Sequence, residues 1–193
     1  SKGLVNYSPM SEAVCAFIPS TAPLMTQASV LKTDVASGEI RVRWTKPLKL
    51  DTTVYRSPYQ YRLKRAEGQT GTQFAEVGVT SDTVFVDKGL NTIDNAYRYQ
   101  VDFYYSVNGN FKLLDSPTPA SSVRLQAQTA VKSVKLTWTA IVPWSNDFQV
   151  HRVYRETFKG SGNFNQISDV SVAGPGTYQF TDIGTDFIPT DGK

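Results

Sequence analysis

Residues 39–45 read Glu-Ile-Arg-Val-Arg-Trp-Thr, and this stretch decides the fold class. Its apolar residues, Ile40, Val42 and Trp44, alternate with Arg41 and Arg43. Successive side chains of a β-strand point to opposite faces, so the alternation predicts a strand with one face buried and the other in water.

A second copy of this stretch lies further along the chain. Residues 133–139 read Ser-Val-Lys-Leu-Thr-Trp-Thr, with Val134, Leu136 and Trp138 at the alternating apolar positions. Trp44 and Trp138 are 138 − 44 = 94 residues apart. That period is too long for a solenoid repeat and suits one small β-sandwich of roughly 100 residues. The pattern predicts two copies of one β-fold.

The residues after each tryptophan repeat as well. Each copy continues with an arginine that ends a strand-like run, then a phenylalanine and an aspartate: Arg65, Phe74 and Asp87 in the first copy, and Arg155, Phe164 and Asp182 in the second. The arginine and phenylalanine are 9 residues apart in both copies (74 − 65 and 164 − 155). No segment of helical length carries an apolar stripe with a 3.6-residue period, so we expect an all-β protein.

The first copy then continues with a long aromatic strand. Between residues 96 and 107, core-type residues alternate with polar ones: Tyr97, Tyr99, Val101, Phe103 and Tyr105 against Arg98, Gln100, Asp102 and Tyr104. The Asn108-Gly109 pair that follows predicts a tight hairpin turn into residues 111–114.

These features together resemble the fibronectin type III module, in which seven strands (A, B, C, C′, E, F and G) form an immunoglobulin-like β-sandwich. The resemblance lies in the strand B patterns ending at Trp44 and Trp138, the strand C patterns ending at Arg65 and Arg155, and the strand F run at 97–101. It covers nearly the whole chain and implies tandem sandwiches. The wording of residues 43–53 and 59–63 is similar to modules from large secreted or cell-surface proteins of gliding bacteria. This likeness implies an extracellular or cell-surface location.

The repeat also predicts the domain organisation. Residues 21–119 would form a complete module, and residues 120–193 a partial one without strands F and G, because the match to Tyr97 would fall near residue 192. Residues 1–20 resemble the last strand of a preceding module. We expect a piece of a longer array, with an open sheet edge along residues 148–157. The strand at 4–17 of another molecule would fill that edge, in a strand-exchange oligomer induced by the fragment boundaries.

Composition excludes several classes of function. Lys and Arg number 20 against 17 Asp and Glu, and the net charge of +3 is spread along the chain, so nucleic acid is not an expected partner. No apolar run reaches the length of a membrane span. Cys15 and His151 are the only residues of their types. They leave no basis for a thiolate zinc site, a catalytic triad or a cofactor site, so we expect a protein that is not an enzyme and has no catalytic or metal-ligating residues.

Two aromatic residues do not fit the core pattern. Tyr55 and Trp144 follow the two tryptophan strands, each in the connection to the next strand. Either could contact a ligand or a neighbouring module, and either could instead close the end of the sandwich as an apolar plug.

The predicted function is a spacer and interaction segment of a larger extracellular or cell-surface adhesion protein, whose ligand is an unidentified protein or glycan. One alternative is an accessory carbohydrate-associated region of a secreted polysaccharide-degrading enzyme. Another is a protein-recognition module of the receptor type, binding through loops at one end of a sandwich.

Overall fold

A computed structural model describes residues 21–143 and 150–184, and the regular structure in this part of the chain is β-strand. The strands are β1 Met25–Lys32, β2 Gly38–Trp44, β3 Tyr59–Glu67, β4 Ala75–Thr80, β5 Val84–Leu90, β6 Tyr97–Val107, β7 Asn110–Asp115, β8 Ala120–Ser121, β9 Arg124–Ala130, β10 Ser133–Ala140, β11 Val150–Glu156, β12 Phe164–Ser171 and β13 Gly176–Asp182. The expectation of an all-β protein is confirmed for the described residues. Nothing in these ranges forms a helix with the length and apolarity that crossing a bilayer requires.

Strands β1 to β8 form two antiparallel sheets, which we call the N-terminal sheet pair. One sheet has the order β1-β2-β5, and the other has the order β4-β3-β6-β7 with β8 also paired to β6. Ile40 and Val42 on β2 have 0% exposure, as their alternation predicts. Trp44 packs edge-on against Tyr61 of β3, with ring centroids 5.6 Å apart. The two sheets therefore face each other across a shared core, consistent with a β-sandwich.

Strand β6 supplies the centre of that core. Tyr99, Val101 and Phe103 are completely buried between the two sheets. Phe103 packs on Tyr61, with centroids 5.2 Å apart. Strand β6 lies between β3 and β7, so its backbone is hydrogen-bonded along both edges. The predicted aromatic strand is confirmed as β6.

The Asn108-Gly109 hairpin is confirmed. Both residues have positive φ, 51° for Asn108 and 80° for Gly109, and they join β6 to β7. Two successive left-handed residues make a type I′ turn, whose twist matches that of the flanking strands.

The alternation is wrong about Asp102, which it places among the solvent-facing residues. Asp102 is only 2% exposed. Its carboxylate accepts from Lys64 Nζ at 2.5 Å and from Ser116 Oγ at 2.7 Å. The hydrogen bond to Asp102 raises the pKa of Lys64. The Lys64 and Ser116 side chains therefore bury and satisfy the charge, which a period of two along one strand cannot show.

Strands β9 to β13 form the C-terminal sheet pair, which repeats part of this arrangement. The sheet β9-β10-β13 has the same antiparallel order as β1-β2-β5, and the hairpin β11-β12 corresponds to β3-β4. The pairing shifts register between Val153 and Tyr154 in β11 and between Leu63 and Lys64 in β3. Tyr154 directly precedes Arg155, and Lys64 directly precedes Arg65, so the two register shifts occur at matching positions of the repeat.

Both tryptophans lie where the repeat predicts. Trp44 is 3% exposed and Trp138 is 6% exposed. Trp138 on β10 contacts His151 on β11, in the facing sheet, just as Trp44 contacts the facing strand β3. Their predicted burial beneath the opposite sheet is confirmed.

Direct hydrogen bonds join the two sheet pairs. The Gln69 side-chain amide donates to the carbonyl oxygen of Thr139 at 2.6 Å, and the Ser121 N–H donates to that of Ile141 at 3.0 Å. Ser121 and Ser122, which precede β9, are each only 1% exposed. The junction is therefore packed on both sides.

Candidate functional site

A compact network around Asp87 on β5 holds a second buried carboxylate of the N-terminal sheet pair, besides Asp102. Arg65 Nη1 donates to both carboxylate oxygens of Asp87, at 3.0 and 2.8 Å. The Tyr99 hydroxyl donates to Oδ2 at 3.0 Å. Burial, and then the charge of Asp87, raises the pKa of Tyr99 well above its ordinary value, so its hydroxyl stays protonated and acts as a donor.

The same ion pair recurs in the C-terminal sheet pair. Arg155 Nη1 donates to the two oxygens of Asp182 at 3.0 and 2.8 Å. Burial acts to raise the pKa of Asp182, but the Gly184 N–H at 2.9 Å and the Arg155 guanidinium outweigh it and hold that pKa below its ordinary value. Within the described ranges, no tyrosine hydroxyl takes the place that Tyr99 occupies beside Asp87.

An open apolar cleft of about 610 Å³ lies between β10 and β11. We call it the β10–β11 cleft. Its walls combine apolar side chains with one guanidinium, and its lining residues are Val123, Leu125, Leu136, Trp138, Val150, His151, Arg152, Val153 and Tyr154.

Trp138 and His151 form the polar contact inside the cleft. The indole Nε1–H of Trp138 donates to His151 Nδ1 at 2.8 Å. An indole nitrogen can only donate, so Nδ1 is the acceptor and the neutral imidazole carries its proton on Nε2. The Tyr178 ring meets the imidazole edge-on, with centroids 5.0 Å apart. Burial lowers the pKa of His151, which favours this neutral form.

The apolar side chains of β10 are less buried than their counterparts on β2. Val134 and Leu136 are half-buried, whereas Ile40 and Val42 at the matching positions of β2 are fully buried. In the N-terminal sheet pair the side chains of β6 complete that core. Within the described residues, no strand pairs with β11 along the edge that faces away from β12.

Tyr55 lies in the connection between β2 and β3, against a tyrosine of β6. Its ring is half-buried and packs edge-on against Tyr105, with centroids 5.1 Å apart. Its carbonyl accepts from the Tyr59 hydroxyl at 2.7 Å, and its N–H donates to the Asp51 carbonyl at 2.8 Å. This geometry favours the plug interpretation, and ligand contact by Tyr55 stays a prediction. Trp144 lies outside the described residues.

The cleft residues were not among the sequence candidates. Leu136 and Val153 have the alternation of ordinary core residues, and no local pattern distinguishes a core that is covered from one that is open. The separate signal was the predicted open edge along the strand at 148–157. In the structure this strand is β11, which ends at Glu156, one residue before the predicted end at residue 157.

Comparison with known proteins adds no family assignment. No protein-family model matches the chain, and neither does any curated protein. Among the residues described, no group of three or more His, Cys, Asp or Glu side chains is placed to hold a metal ion. What the site offers is apolar surface and the charge of Arg152.

Proposed function

We propose that this chain is a non-enzymatic segment of tandem fibronectin type III-like modules, acting as spacer and interaction surface in a larger extracellular or cell-surface adhesion protein. The observation that carries the proposal is the repeated arginine–aspartate pair. Arg65–Asp87 and Arg155–Asp182 join matching strands of facing sheets with the same two distances. A repeat of both sequence spacing and buried geometry is what tandem modules of one fold would produce.

A second contact supports an immunoglobulin-like module. The Tyr97 hydroxyl, at the start of β6, donates to the carbonyl of Asn91 at 3.3 Å and accepts from the Asn91 N–H at 3.2 Å. This is the arrangement of a tyrosine corner, in which a tyrosine near the start of strand F bonds to the backbone a few residues upstream.

The core of the N-terminal sheet pair supports the spacer role. The N-terminal sheet pair has its own core, and the packed junction at Ser121 and Ser122 leads directly into the next sheet. Modules that fold individually and join through short connections extend an array without needing a ligand or a catalytic group.

Sedimentation with insoluble polysaccharides tests this proposal against the carbohydrate alternative. A spacer should stay in the supernatant at every polysaccharide concentration and should release no reducing sugar ends. Saturable retention that is lost in Tyr55→Ala, but kept in the control Val131→Ala at an exposed turn, would favour the carbohydrate-associated region. Saturable binding of a purified surface protein through loop residues would favour the receptor-type module.

A further inference from the structure

The outer face of the sheet β1-β2-β5 carries two arginines on its central strand. Ile40, Val42 and Trp44 of β2 are buried, so Arg41 and Arg43 lie on the opposite face, which is turned to water. Strand β2 pairs with β1 along one edge and with β5 along the other. A ligand therefore reaches this part of the sheet through its side chains and not by adding a strand.

Both arginine side chains lack a partner within the described residues. Their guanidinium groups form no hydrogen bond or ion pair with residues 21–143 or 150–184. In the next cross-strand row Glu39 lies between Lys32 and Lys88, and Lys88 Nζ is 3.4 Å from Glu39 Oε1. The rows through Glu39, Arg41 and Arg43 together hold four basic residues and one acidic one, a balance of 4 − 1 = +3. This surface is therefore positive, and its one carboxylate is already bound.

The cross-strand neighbours of the two arginines differ on the two sides. One flank is polar and the other is aliphatic: Gln27 and Ser29 on β1, and Val84 and Val86 on β5. We call these four residues, together with Arg41 and Arg43, the arginine face. The Gln27 amide donates to the Ser29 hydroxyl at 3.0 Å, and Val84 is 39% exposed. The face thus combines two guanidinium groups with both polar and aliphatic surface.

The repeated fold does not require this arginine pair. Arg41 and Arg43 lie three residues and one residue before Trp44, and the same positions before Trp138 hold Lys135 and Thr137. Strand β10 is central in its sheet, as β2 is. A polar residue at these positions is therefore enough for the strand to form, and the two arginines are a feature that distinguishes the N-terminal sheet pair.

The spacing of the arginines suits carboxylates on an extended polypeptide. In any extended chain, the side chains of residues i and i+2 point the same way and are about 6.6 Å apart, so alternate acidic residues would meet the two guanidinium groups in register. Each guanidinium can bind one carboxylate through two parallel hydrogen bonds.

The aliphatic flank and the small number of arginines also favour a polypeptide over a polyanion. The methylene groups of a glutamate can lie against Val84 and Val86, which removes apolar surface from water. Binding of a nucleic acid depends on many cationic contacts, roughly 6–10 phosphates, and gains nothing from valine. Two arginines beside two valines are therefore better matched to a short acidic segment of a protein.

We propose that the arginine face binds an extended acidic segment of a partner polypeptide, with one carboxylate on Arg41 and the carboxylate two residues along on Arg43. The segment lies along β2 on the outside of the sheet. The inference rests on the interaction role proposed above and names the chemistry of the partner.

Nuclear magnetic resonance titration of the full chain, isotopically labelled, with a short peptide of alternating threonine and glutamate tests this proposal. Amide signals of residues 27–29, 41–43 and 84–86 should shift saturably, whereas those of β9 and β10 should not. A peptide of the same composition with its glutamates in adjacent pairs should bind about threefold more weakly, because only one carboxylate of each pair can face the sheet.

Variants of the two arginines separate carboxylate recognition from charge alone. The double variant Arg41→Gln, Arg43→Gln should weaken peptide binding about tenfold. The double variant Arg41→Lys, Arg43→Lys keeps the charge but loses the two parallel hydrogen bonds, so it should bind about threefold more weakly than the parent. The matched control Lys135→Gln, at the position of β10 that corresponds to Arg41, should leave the affinity unchanged. All three should unfold at the parent's temperature, because these side chains face water.

Four results would overturn the proposal: no saturable shifts, shifts centred outside the arginine face, unchanged affinity in the double glutamine variant, or unchanged affinity in the double lysine variant. A fifth is tighter binding of inorganic polyphosphate or a sulfated oligosaccharide through the same arginines, since the face would then recognise a polyanion. None of these assays uses insoluble polysaccharide, so their failure is separate from a failure of the spacer proposal.

Discussion

Replacing Asp87 with alanine removes the shared acceptor of Arg65 and Tyr99. The Arg65 side chain is 30% exposed and can turn to water, but Tyr99 is fully buried and its hydroxyl would lose its partner. A hydrogen bond to a charged group contributes about 1.5–3 kcal/mol, and a stranded buried hydroxyl costs about 1–3 kcal/mol. We expect Asp87→Ala to lower the free energy of unfolding by about 3–5 kcal/mol.

Asp182→Ala is the matched variant, because Asp182 accepts from Arg155 at the same distances and no tyrosine of residues 21–143 or 150–184 donates to it. The Asp182 and Arg155 side chains are 15% and 24% exposed, so water replaces part of the lost interaction. We expect a loss of about 1–2 kcal/mol. Hydrogen exchange read by mass spectrometry separates the two losses, because peptides from β6 and β10 report on different sheet pairs.

A double-mutant cycle assigns the difference to Tyr99. In a Tyr99→Phe background no hydroxyl can be stranded, so Asp87→Ala should cost about 1–2 kcal/mol less than in the parent chain. Equal losses for Asp87→Ala and Asp182→Ala, or no coupling between Asp87 and Tyr99, would refute the reasoning.

Three further changes have defined outcomes. Trp44→Ala should cost about 3–5 kcal/mol in denaturant unfolding, because it empties a core site, and a loss below about 1 kcal/mol would contradict the packing. Burial lowers the pKa of His151 from its ordinary 6.5, so the unfolded chain takes up its proton first. Stability of the C-terminal sheet pair, followed by hydrogen exchange, should therefore fall as the pH drops below 6.5 and level off below the folded pKa; His151→Gln should remove this fall. Gly109→Ala should cost about 1 kcal/mol by thermal unfolding, because φ there is 80°.

Controls separate these effects from general destabilisation. Trp44→Phe keeps an aromatic ring in the core and should lose less than the alanine variant. His151 is the sole histidine of the chain, so a stability change near pH 6 that persists in His151→Gln would contradict its assignment to this side chain. Gly109→Asn should be milder than Gly109→Ala, because asparagine tolerates positive φ.

The strands could be predicted from the sequence because their alternation is strict. Residues 133–139 were expected as a strand and lie within β10, and the strand expected at 96–107 is β6 at 97–107. The prediction works for these stretches because successive side chains of a strand point alternately into the core and into water, and the apolar and polar residues alternate in the same way.

What failed depended on neighbours from distant parts of the chain. Asp102 is buried because Lys64 and Ser116, 38 and 14 residues away (102 − 64 and 116 − 102), cover and bind its carboxylate. Whether the β10–β11 cleft is open or covered likewise depends on the strands that pair with β11. Periodicity within a strand carries no information about either.

The packed junction at Ser121 and Ser122 also has a mechanical consequence. Between β8 and β9 lie two residues, which can extend by no more than about 7 Å. A stretching force along the chain could lengthen this connection only slightly. The force would therefore act on the Ser121–Ile141 and Gln69–Thr139 hydrogen bonds. Stretching would therefore load the sheets themselves, and the joint would transmit force between the two sheet pairs without acting as a hinge.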